Sequence, residues 1–112
     1  WEIPNVKHNH IEKTEHPAQY PVELIERLVL ALTNKKDIVF DPYVGVGSSI
    51  LASIIHDRKA IGVDREQKYT DIAFSRIQDA LYGELKRRPL GKSIYKPKGT
   101  EKVATIPEEW KK

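Results

Sequence analysis

The spacing of apolar residues along the chain predicts three helices separated by two short strands. Apolar side chains recur every three or four positions over residues 21–33, 48–56 and 66–82, which is typical of helices that bury one face. Residues 37–41 and 60–64 each contain a short continuous apolar run, typical of a strand buried on both faces of a parallel sheet. The helical faces comprise Leu24, Ile25, Leu28, Val29, Leu32, Ile50, Leu51, Ile54, Ile55, Tyr69, Ile72, Ala73, Arg76, Ile77, Ala80 and Leu81.

This order of elements indicates an α/β fold. Two strands joined by a helix of about ten residues form a βαβ unit, whose strands should run parallel with a right-handed crossover. Two strands are too few to form a complete sheet with helices on both faces. We therefore expect the remaining strands in another part of the protein or in a partner chain, and the exposed sheet edges favour association with a partner or a second copy.

The two ends of the chain lack a regular period. Residues 1–20 contain two prolines, two asparagines and three histidines, which indicates an extended arm or a structured loop before the α/β core at residues 21–82. Glycines and prolines punctuate residues 83–112. We expect these residues to form an irregular tail that wraps around the core or extends from it, rather than a second domain.

Charge is distributed unevenly between the tail and the rest of the chain. Residues 83–112 hold nine Lys/Arg and four Asp/Glu, whereas residues 1–82 hold ten and twelve. A basic tail suits contact with a polyanion such as DNA, and Lys86, Arg87 and Arg88 could bind its phosphates. The alternative is a solvated terminus whose charges serve only solubility.

Composition narrows the class of protein further. The chain has no cysteine, which excludes disulfides and thiolate metal sites and fits a reducing cytoplasm. It has neither an apolar run of about 18 residues nor the pattern of a signal peptide, so we expect no membrane segment. It also has no methionine and starts at Trp1, so we expect a piece of a longer protein; a processed small protein is the alternative.

Two acids and a glycine-rich loop predict a ligand site. Asp41 follows the first predicted strand and Asp64 the second, while Gly45 and Gly47 lie between them at the start of a helix. Open parallel sheets bind ligands beyond the carboxyl ends of their strands, and glycines there allow a ligand to approach the backbone. A carboxylate at Asp64 can accept both hydroxyls of a ribose.

The residues of this loop favour one ligand class over two others. A Walker phosphate loop needs a lysine where Ser48 stands, and Ser48 or Ser49 is instead suited to capping the helix. A dinucleotide fold needs a third glycine where Ile50 stands, and its pyrophosphate would be repelled by Asp41. S-adenosylmethionine carries an ammonium and a sulfonium, which an acid at Asp41 would attract. NAD remains the alternative.

Three segments together resemble the amino-methylating DNA methyltransferases. The sequence DPYVGVGS at residues 41–48 resembles their cofactor motif, usually Asp-Pro-Phe-x-Gly-Ser-Gly-Thr. The sequence IGVD at residues 61–64 is similar to their ribose-binding acidic motif, and HPAQYP at residues 16–21 to the segment that wraps the methionine end of the cofactor. The order of the segments is similar to the β subclass. The resemblance covers about residues 1–80 and implies a partial Rossmann-like methyltransferase sheet that binds S-adenosylmethionine.

The resemblance also implies roles for single residues. Asp41, with the loop backbone at Gly45 and Gly47, would hold the methionine part of the cofactor. Tyr43 would lie along the cofactor in place of the usual Phe, and Asp64 would hold the ribose hydroxyls.

Further residues of the two other segments complete the implied site. Ala18 and Gln19 lie just before the helix that begins at Pro21, and would help to bind the cofactor carboxylate, because a helix N-terminus suits an anion. Arg65 would lie next to the adenine pocket. The full expected set is Ala18, Gln19, Pro21, Asp41, Pro42, Tyr43, Gly45, Gly47, Ser48, Asp64 and Arg65.

The chain departs from the family pattern in one serious respect. Val46 for Ser, Ser48 for Thr and Tyr43 for Phe are mild changes. Methylation of adenine N6 or cytosine N4 in this family, however, uses an (Asp/Asn/Ser)-Pro-Pro-aromatic motif that binds the extruded base. None of the seven prolines in this chain is adjacent to another. We therefore expect the catalytic residues elsewhere in the parent enzyme and expect this chain alone to be inactive.

Other chemistry-bearing residues have simpler interpretations. His8 and His10 lack carboxylates at metal-ligand spacing, so no metal site is expected. Glu12 and Glu15 are expected in a solvated loop rather than as an acid–base pair. His16 is expected to be structural, and the serines have no histidine partner that would make them nucleophiles.

Three hypotheses follow. The first is the C-terminal cofactor-binding part of a DNA methyltransferase that acts on adenine N6 or cytosine N4. The second is a non-catalytic module that binds S-adenosylmethionine or a nucleotide, or half of a split methyltransferase. The third is a dinucleotide-binding fragment of a dehydrogenase, which NAD binding would support.

Overall fold

The computed structural model describes residues 2–7 and 10–94. Within these residues it contains three helices and two strands in the predicted order. They are α1 (Val22–Leu32), β1 (Ile38–Asp41), α2 (Ser48–Ile55), β2 (Lys59–Gly62) and α3 (Gln67–Leu81). The outer part of the predicted tail, residues 95–112, lies outside the described residues, as does His8. None of the helices in the described ranges is long and apolar enough to cross a membrane.

The two strands pair in parallel, as the βαβ pattern predicted. Ile38 lies opposite Lys59 and Asp41 lies opposite Gly62. The regular part of β2 therefore begins and ends earlier than the predicted range of 60–64. Backbone pairing nevertheless extends beyond it, because the Val63 amide donates to the Asp41 carbonyl at 3.0 Å. This pairing places the end of β2 beside the end of β1, where the predicted acids lie.

Helix α2 forms the centre of the molecule. It packs against both strands and lies against α1 and α3. The core accordingly lies where α1, α2 and one face of the sheet meet, with contributions from the end of α3. Its members are Val22, Val29, Leu51 and Ala52, surrounded by Ile25, Val39, Ile55, Ile77, Ala80 and Leu85.

The opposite face of the sheet is apolar and exposed in this chain. Phe40 is 62% exposed, and Ile38, Ile61 and Val63 are exposed beside it. The prediction that both strands are buried on both faces is therefore wrong for the described residues. The apolar runs have no covering helix on this side, because α2 packs against the other face of the sheet and α1 and α3 pack against α2.

Helix α1 buries two acidic residues as well as apolar ones. Glu23 and Glu26, which stand between the apolar positions in the sequence, are almost completely buried, whereas Leu28 and Leu32 of the predicted apolar face are exposed. The buried carboxylates face the start of the tail. There they accept hydrogen bonds from Arg87, Arg88 and the Gly91 amide. Residues 87–91 thus pack against α1. This part of the predicted tail wraps around the core rather than extending from it.

Candidate cofactor-binding site

A cleft lies beyond the carboxyl end of β1, between the N-terminal arm and the loop that leads into α2. It encloses about 410 Å³, part of which is open solvent. One wall consists of residues 16–20 of the arm, and the other of residues 41–49, which we call the cofactor loop. The residues that line it are His16, Ala18, Gln19, Tyr20, Ile25, Asp41, Tyr43, Val44, Gly45, Val46, Ser48 and Ser49. No lysine or arginine is among them.

The two glycines of the cofactor loop are required for different reasons. Both have a positive φ, 52° at Gly45 and 86° at Gly47, which favours glycine. A Cβ at Gly45 would lie 3.2 Å from Nε2 of His16, so this glycine lets the arm approach the loop. A Cβ at Gly47 would lie 2.9 Å from the Cβ of Ala73, so this glycine lets α3 pack against the loop.

Asp41 is held in the first cleft by two hydrogen bonds. Its Oδ1 accepts from the Tyr43 amide at 3.0 Å, and its Oδ2 accepts from the Ser49 hydroxyl at 2.6 Å. The expectation that Ser48 or Ser49 caps α2 is wrong, because Gly47 is the N-cap and no side chain caps the helix. Instead, Ser49 orients Asp41, and Ser48 donates to the Tyr20 carbonyl at 2.8 Å and so joins the loop to the arm.

Asp64 is anchored to the same loop. Its Oδ2 accepts from the Gly45 amide at 3.0 Å, and its Oδ1 accepts from the Glu66 amide at 2.8 Å. Each carboxylate oxygen has a second lone pair, so the group can accept further hydrogen bonds from a ligand. Residues of the cofactor loop therefore donate hydrogen bonds to both predicted acids, Asp41 and Asp64.

A second cleft lies on the other side of Tyr43. It encloses about 950 Å³, which includes open solvent, and is lined by Pro42, Tyr43, Val63, Asp64, Arg65, Glu66 and Tyr69. Tyr43 is 88% exposed and lines both clefts. The structure thus places Asp41 in one cleft and Asp64 with Arg65 in the other, and Tyr43 borders both clefts.

The arm is held against the loop and α3 by His16. The His16 ring lies 4.4 Å from the Tyr69 ring, centroid to centroid, and its Nδ1 accepts from the Ala18 amide at 3.0 Å. Beside it, the exposed Glu15 pairs with Lys68 of α3, and this contact lowers the pKa of the Glu15 carboxyl. These contacts fix residues 16–20 as one wall of the cleft.

Gln19 and the start of α1 already have partners within the arm. The Gln19 amide accepts from Thr14 and donates to the Glu12 carbonyl at 2.6 Å. The Val22 amide, the first of α1 after the buried N-cap Pro21, donates to Oε2 of Glu12 at 2.9 Å. Both groups line or border the cleft, but their free hydrogen-bonding capacity is smaller than the sequence suggested.

Glu12 is not in a solvated loop, contrary to the sequence-based expectation. It is 3% exposed, and its Oε2 lies 3.8 Å from Nη2 of Arg76 on α3. Burial lowers the pKa of the Arg76 guanidinium, and the charge of Glu12 partly opposes this effect. The sequence offered a weak signal for this contact, because Arg76 falls on the otherwise apolar face of α3.

The basic residues proposed to bind DNA differ in their surroundings. Arg87 pairs with Glu26 and Arg88 with Glu23, whereas Lys86 is not paired with either of these acids. Two of the three charges are thus directed at buried carboxylates of α1 rather than outward. Across residues 2–7 and 10–94, no cluster of His, Cys, Asp and Glu is suited to holding a metal ion.

Two parallel strands, each with an acid at or just beyond its carboxyl end, and a glycine-rich loop that leads from the first strand into a helix define a Rossmann-like cofactor-binding unit. Sequence comparison identifies the family to which this cofactor-binding unit belongs. Residues 1–75 match the family model of the N6/N4 methyltransferases, described as DNA methylase. The chain belongs to this family.

Individual relatives support the same assignment. The chain is 45% identical over 74 residues to the type II methyltransferase M.BglII of Bacillus subtilis, an alignment that covers 66% of this chain and 21% of that protein. It is 36% identical over 103 residues to the orphan methyltransferase M.BamHII of Bacillus amyloliquefaciens, covering 87% and 37%.

A solved structure has the same fold. The crystal structure of the M1.HpyAVI–SAM complex superposes with a TM-score of 0.60 at 37% identity, covering 63% of this chain and 35% of the other. S-adenosylmethionine is thus the cofactor of this fold in a similar protein. The chain spans only 21% to 37% of the length of these relatives.

Proposed function

We propose that this chain is the cofactor-binding part of a DNA methyltransferase that methylates the exocyclic amine of adenine (N6) or cytosine (N4). The observation that carries this proposal is the arrangement of Asp41 and Asp64. Both carboxylates are anchored on the cofactor loop, and they open into two clefts that share the Tyr43 ring.

The donor set fits S-adenosylmethionine better than a dinucleotide. The first cleft contains a carboxylate and neither a lysine nor an arginine among its lining residues, so it suits an ammonium rather than a pyrophosphate. Asp41 would bind that ammonium. Asp64 would accept the ribose hydroxyls, and Tyr43 would pack along the cofactor between them, with Arg65 near the adenine.

The division of labour in the reaction follows from this placement. Bound S-adenosylmethionine supplies an electrophilic methyl group, and this chain would fix its position by holding the ammonium and the ribose on either side of the sulfonium. Positioning of the two reactants accounts for much of the rate in such a displacement. The residues that bind the target base and the DNA would belong to another part of the enzyme.

The exposed apolar face of the sheet supports that second part. Phe40, Ile38 and Ile61 form a contiguous apolar surface that a stable protein would cover. We assign its cover to the remainder of the methyltransferase, either in the same polypeptide or in a partner chain. A split enzyme is therefore included in the proposal.

A non-catalytic binding module is the second candidate. It is favoured by the absence of a Pro-Pro-aromatic sequence from this chain. Methyl transfer to DNA by the intact protein that carries this sequence distinguishes the two candidates, since the module predicts cofactor binding without transfer.

The experiment that tests the cofactor site is calorimetric titration with S-adenosylmethionine, S-adenosylhomocysteine and NAD. We expect both sulfur compounds to bind and NAD not to bind. Asp64→Asn should weaken binding by about tenfold to a hundredfold, because it removes the charge and one acceptor for the ribose. Asp71→Asn, at an exposed position on α3, is the matched control. Binding of NAD in preference to both sulfur compounds would refute the proposal.

A further inference from the structure

Helix α3 touches the cofactor loop through its only two buried residues in the described structure, Ala73 and Arg76. They lie three positions apart and therefore on one face of the helix. Ala73 packs against Gly47, where a Cβ would lie only 2.9 Å from the Cβ of Ala73, so that no side chain fits between them. Arg76 reaches further along the same loop.

The strongest contact of Arg76 is to the loop backbone. Its Nη1 donates to the Val46 carbonyl at 2.7 Å and lies 3.5 Å from the Ser48 hydroxyl. Both of these residues line the first cleft. A guanidinium that bonds a loop carbonyl from a rigid helix limits the positions that the loop can adopt.

The same guanidinium also faces the other wall of the cleft. Its Nη2 lies 3.8 Å from Oε2 of Glu12. Glu12 in turn accepts from the Val22 amide and, through its backbone carbonyl, from the Gln19 side chain. Arg76 and Glu12 therefore join α3, the cofactor loop, the arm and the start of α1.

We propose that Arg76 is a positioning residue that sets the separation of the two cleft walls and thereby the affinity for the cofactor. This inference rests on the proposed function, because it concerns the same cleft. The geometry is not that of an optimised ion pair, since Nη2 makes no hydrogen bond and the carboxylate is 3.8 Å away. The short bond to Val46 is the contact that the arginine satisfies best.

A charge-pair role and a positioning role predict different behaviour in a double variant. Arg76→Met leaves the Glu12 carboxylate buried without its cation, and adding Glu12→Gln removes that charge while keeping one oxygen as an acceptor for the Val22 amide. The Arg88 amide, which donates to Oε1 of Glu12 at 3.1 Å, then loses its acceptor, so the second change can restore stability only in part. If Arg76 only neutralises Glu12, the second change restores that part of the stability together with cofactor affinity. If Arg76 positions the loop, it restores part of the stability but none of the affinity, because the buried Val46 carbonyl has still lost its donor.

The test uses the intact protein and measures urea unfolding together with calorimetric titration of S-adenosylmethionine. We expect Arg76→Met to weaken binding by about tenfold to a hundredfold, and the double variant to recover part of the unfolding stability while binding remains weak. Gln78→Met, at an exposed position of the same helix, is the control. Affinity that recovers in parallel with stability, or is unchanged in a folded Arg76→Met protein, overturns the inference.

Amide hydrogen exchange without ligand separates this inference from the proposed function. We expect Arg76→Met to speed exchange at the Gly45 and Gly47 amides, which hydrogen bond to Asp64 and to the Val44 carbonyl. A wild-type protein that binds no cofactor would refute the proposed function. Unchanged exchange in the folded variant would refute the positioning role.

Discussion

The guanidinium of Arg87 donates hydrogen bonds to both carboxylate oxygens of Glu26, at 3.0 and 3.2 Å, across 61 positions of the chain. His56 contacts the same carboxylate from the C-terminal end of α2, with 3.0 Å between its Nε2 and Oε1 of Glu26. Arg88 pairs with Glu23 one turn earlier on α1. The start of the tail therefore provides the counter-charges for two buried acids of the first helix.

Replacing Arg87 should destabilise the fold more than it affects DNA binding. Breaking a fully buried ion pair costs about 3–5 kcal/mol, and the remaining contact with His56 and the partial exposure of Arg87 reduce this figure. We expect Arg87→Met to lower the free energy of unfolding by about 2 kcal/mol in urea titrations. The neighbouring Lys86→Met should change it by less than about 0.5 kcal/mol.

DNA binding measured over a range of salt concentrations completes this comparison. If the tail arginines neutralise the buried acids of α1 and do not contact DNA, the folded Arg87→Met protein should bind DNA with the same salt dependence as the wild type. A clear fall in the salt dependence, with no loss of stability, would instead support the phosphate contact predicted from the sequence.

Side-chain partners that are distant in sequence explain what could not be predicted. The helices, the strands and the acids at their ends followed from local spacing, since Ile38–Asp41 and the glycine loop are contiguous signals. Burial of Glu23 and Glu26 depends on arginines more than 60 residues away in the sequence. The spacing of apolar residues within a helix carries no information about such distant partners. Glu12 was misassigned for the same reason, because its partner Arg76 lies on the last helix.

Ser49 illustrates a short-range contact that was also missed. Its position at the start of α2 suggested a cap, but its hydroxyl donates to Asp41 at 2.6 Å. We expect Ser49→Ala to weaken S-adenosylmethionine binding by about threefold to tenfold, because Asp41 loses the bond that orients it. Calorimetric titration measures this change.

The matched control is Ser53→Ala, one turn further along the same helix. Its hydroxyl donates only to the Ser49 carbonyl, at 2.8 Å, and does not line the cleft. Equal effects of the two substitutions on binding would show that Ser49 acts through helix stability rather than through Asp41.

Gly47 should tolerate no side chain, for reasons of both conformation and packing. Its φ is 86°, and a Cβ would meet the Cβ of Ala73 at 2.9 Å. Gly83 has a similar φ of 74° but no atom within 4 Å of its Cβ position, so Gly83→Ala isolates the conformational cost of about 1 kcal/mol. Gly47→Ala should cost about 2–4 kcal/mol in urea unfolding, since overpacking adds to that cost.

The comparison of these two variants tests the packing of α3 against the loop. Equal costs would mean that α3 moves away from Gly47 without penalty. In that case the contact between Ala73 and the loop would not be a fixed feature of the cleft.

The exposed sheet face gives a prediction that tests the proposed second part of the methyltransferase. Phe40 points away from α2, whereas the neighbouring Val39 packs against the core. In the 112-residue chain alone, Phe40→Ser should leave the free energy of unfolding nearly unchanged, and Val39→Ala should lower it by about 2 kcal/mol. In the intact protein, covering of this face would make Phe40→Ser cost about 3 kcal/mol or more, because the ring would then be a core residue. A small effect of Phe40→Ser in both proteins, with Val39→Ala harmful in both, would mean that no other segment covers the sheet.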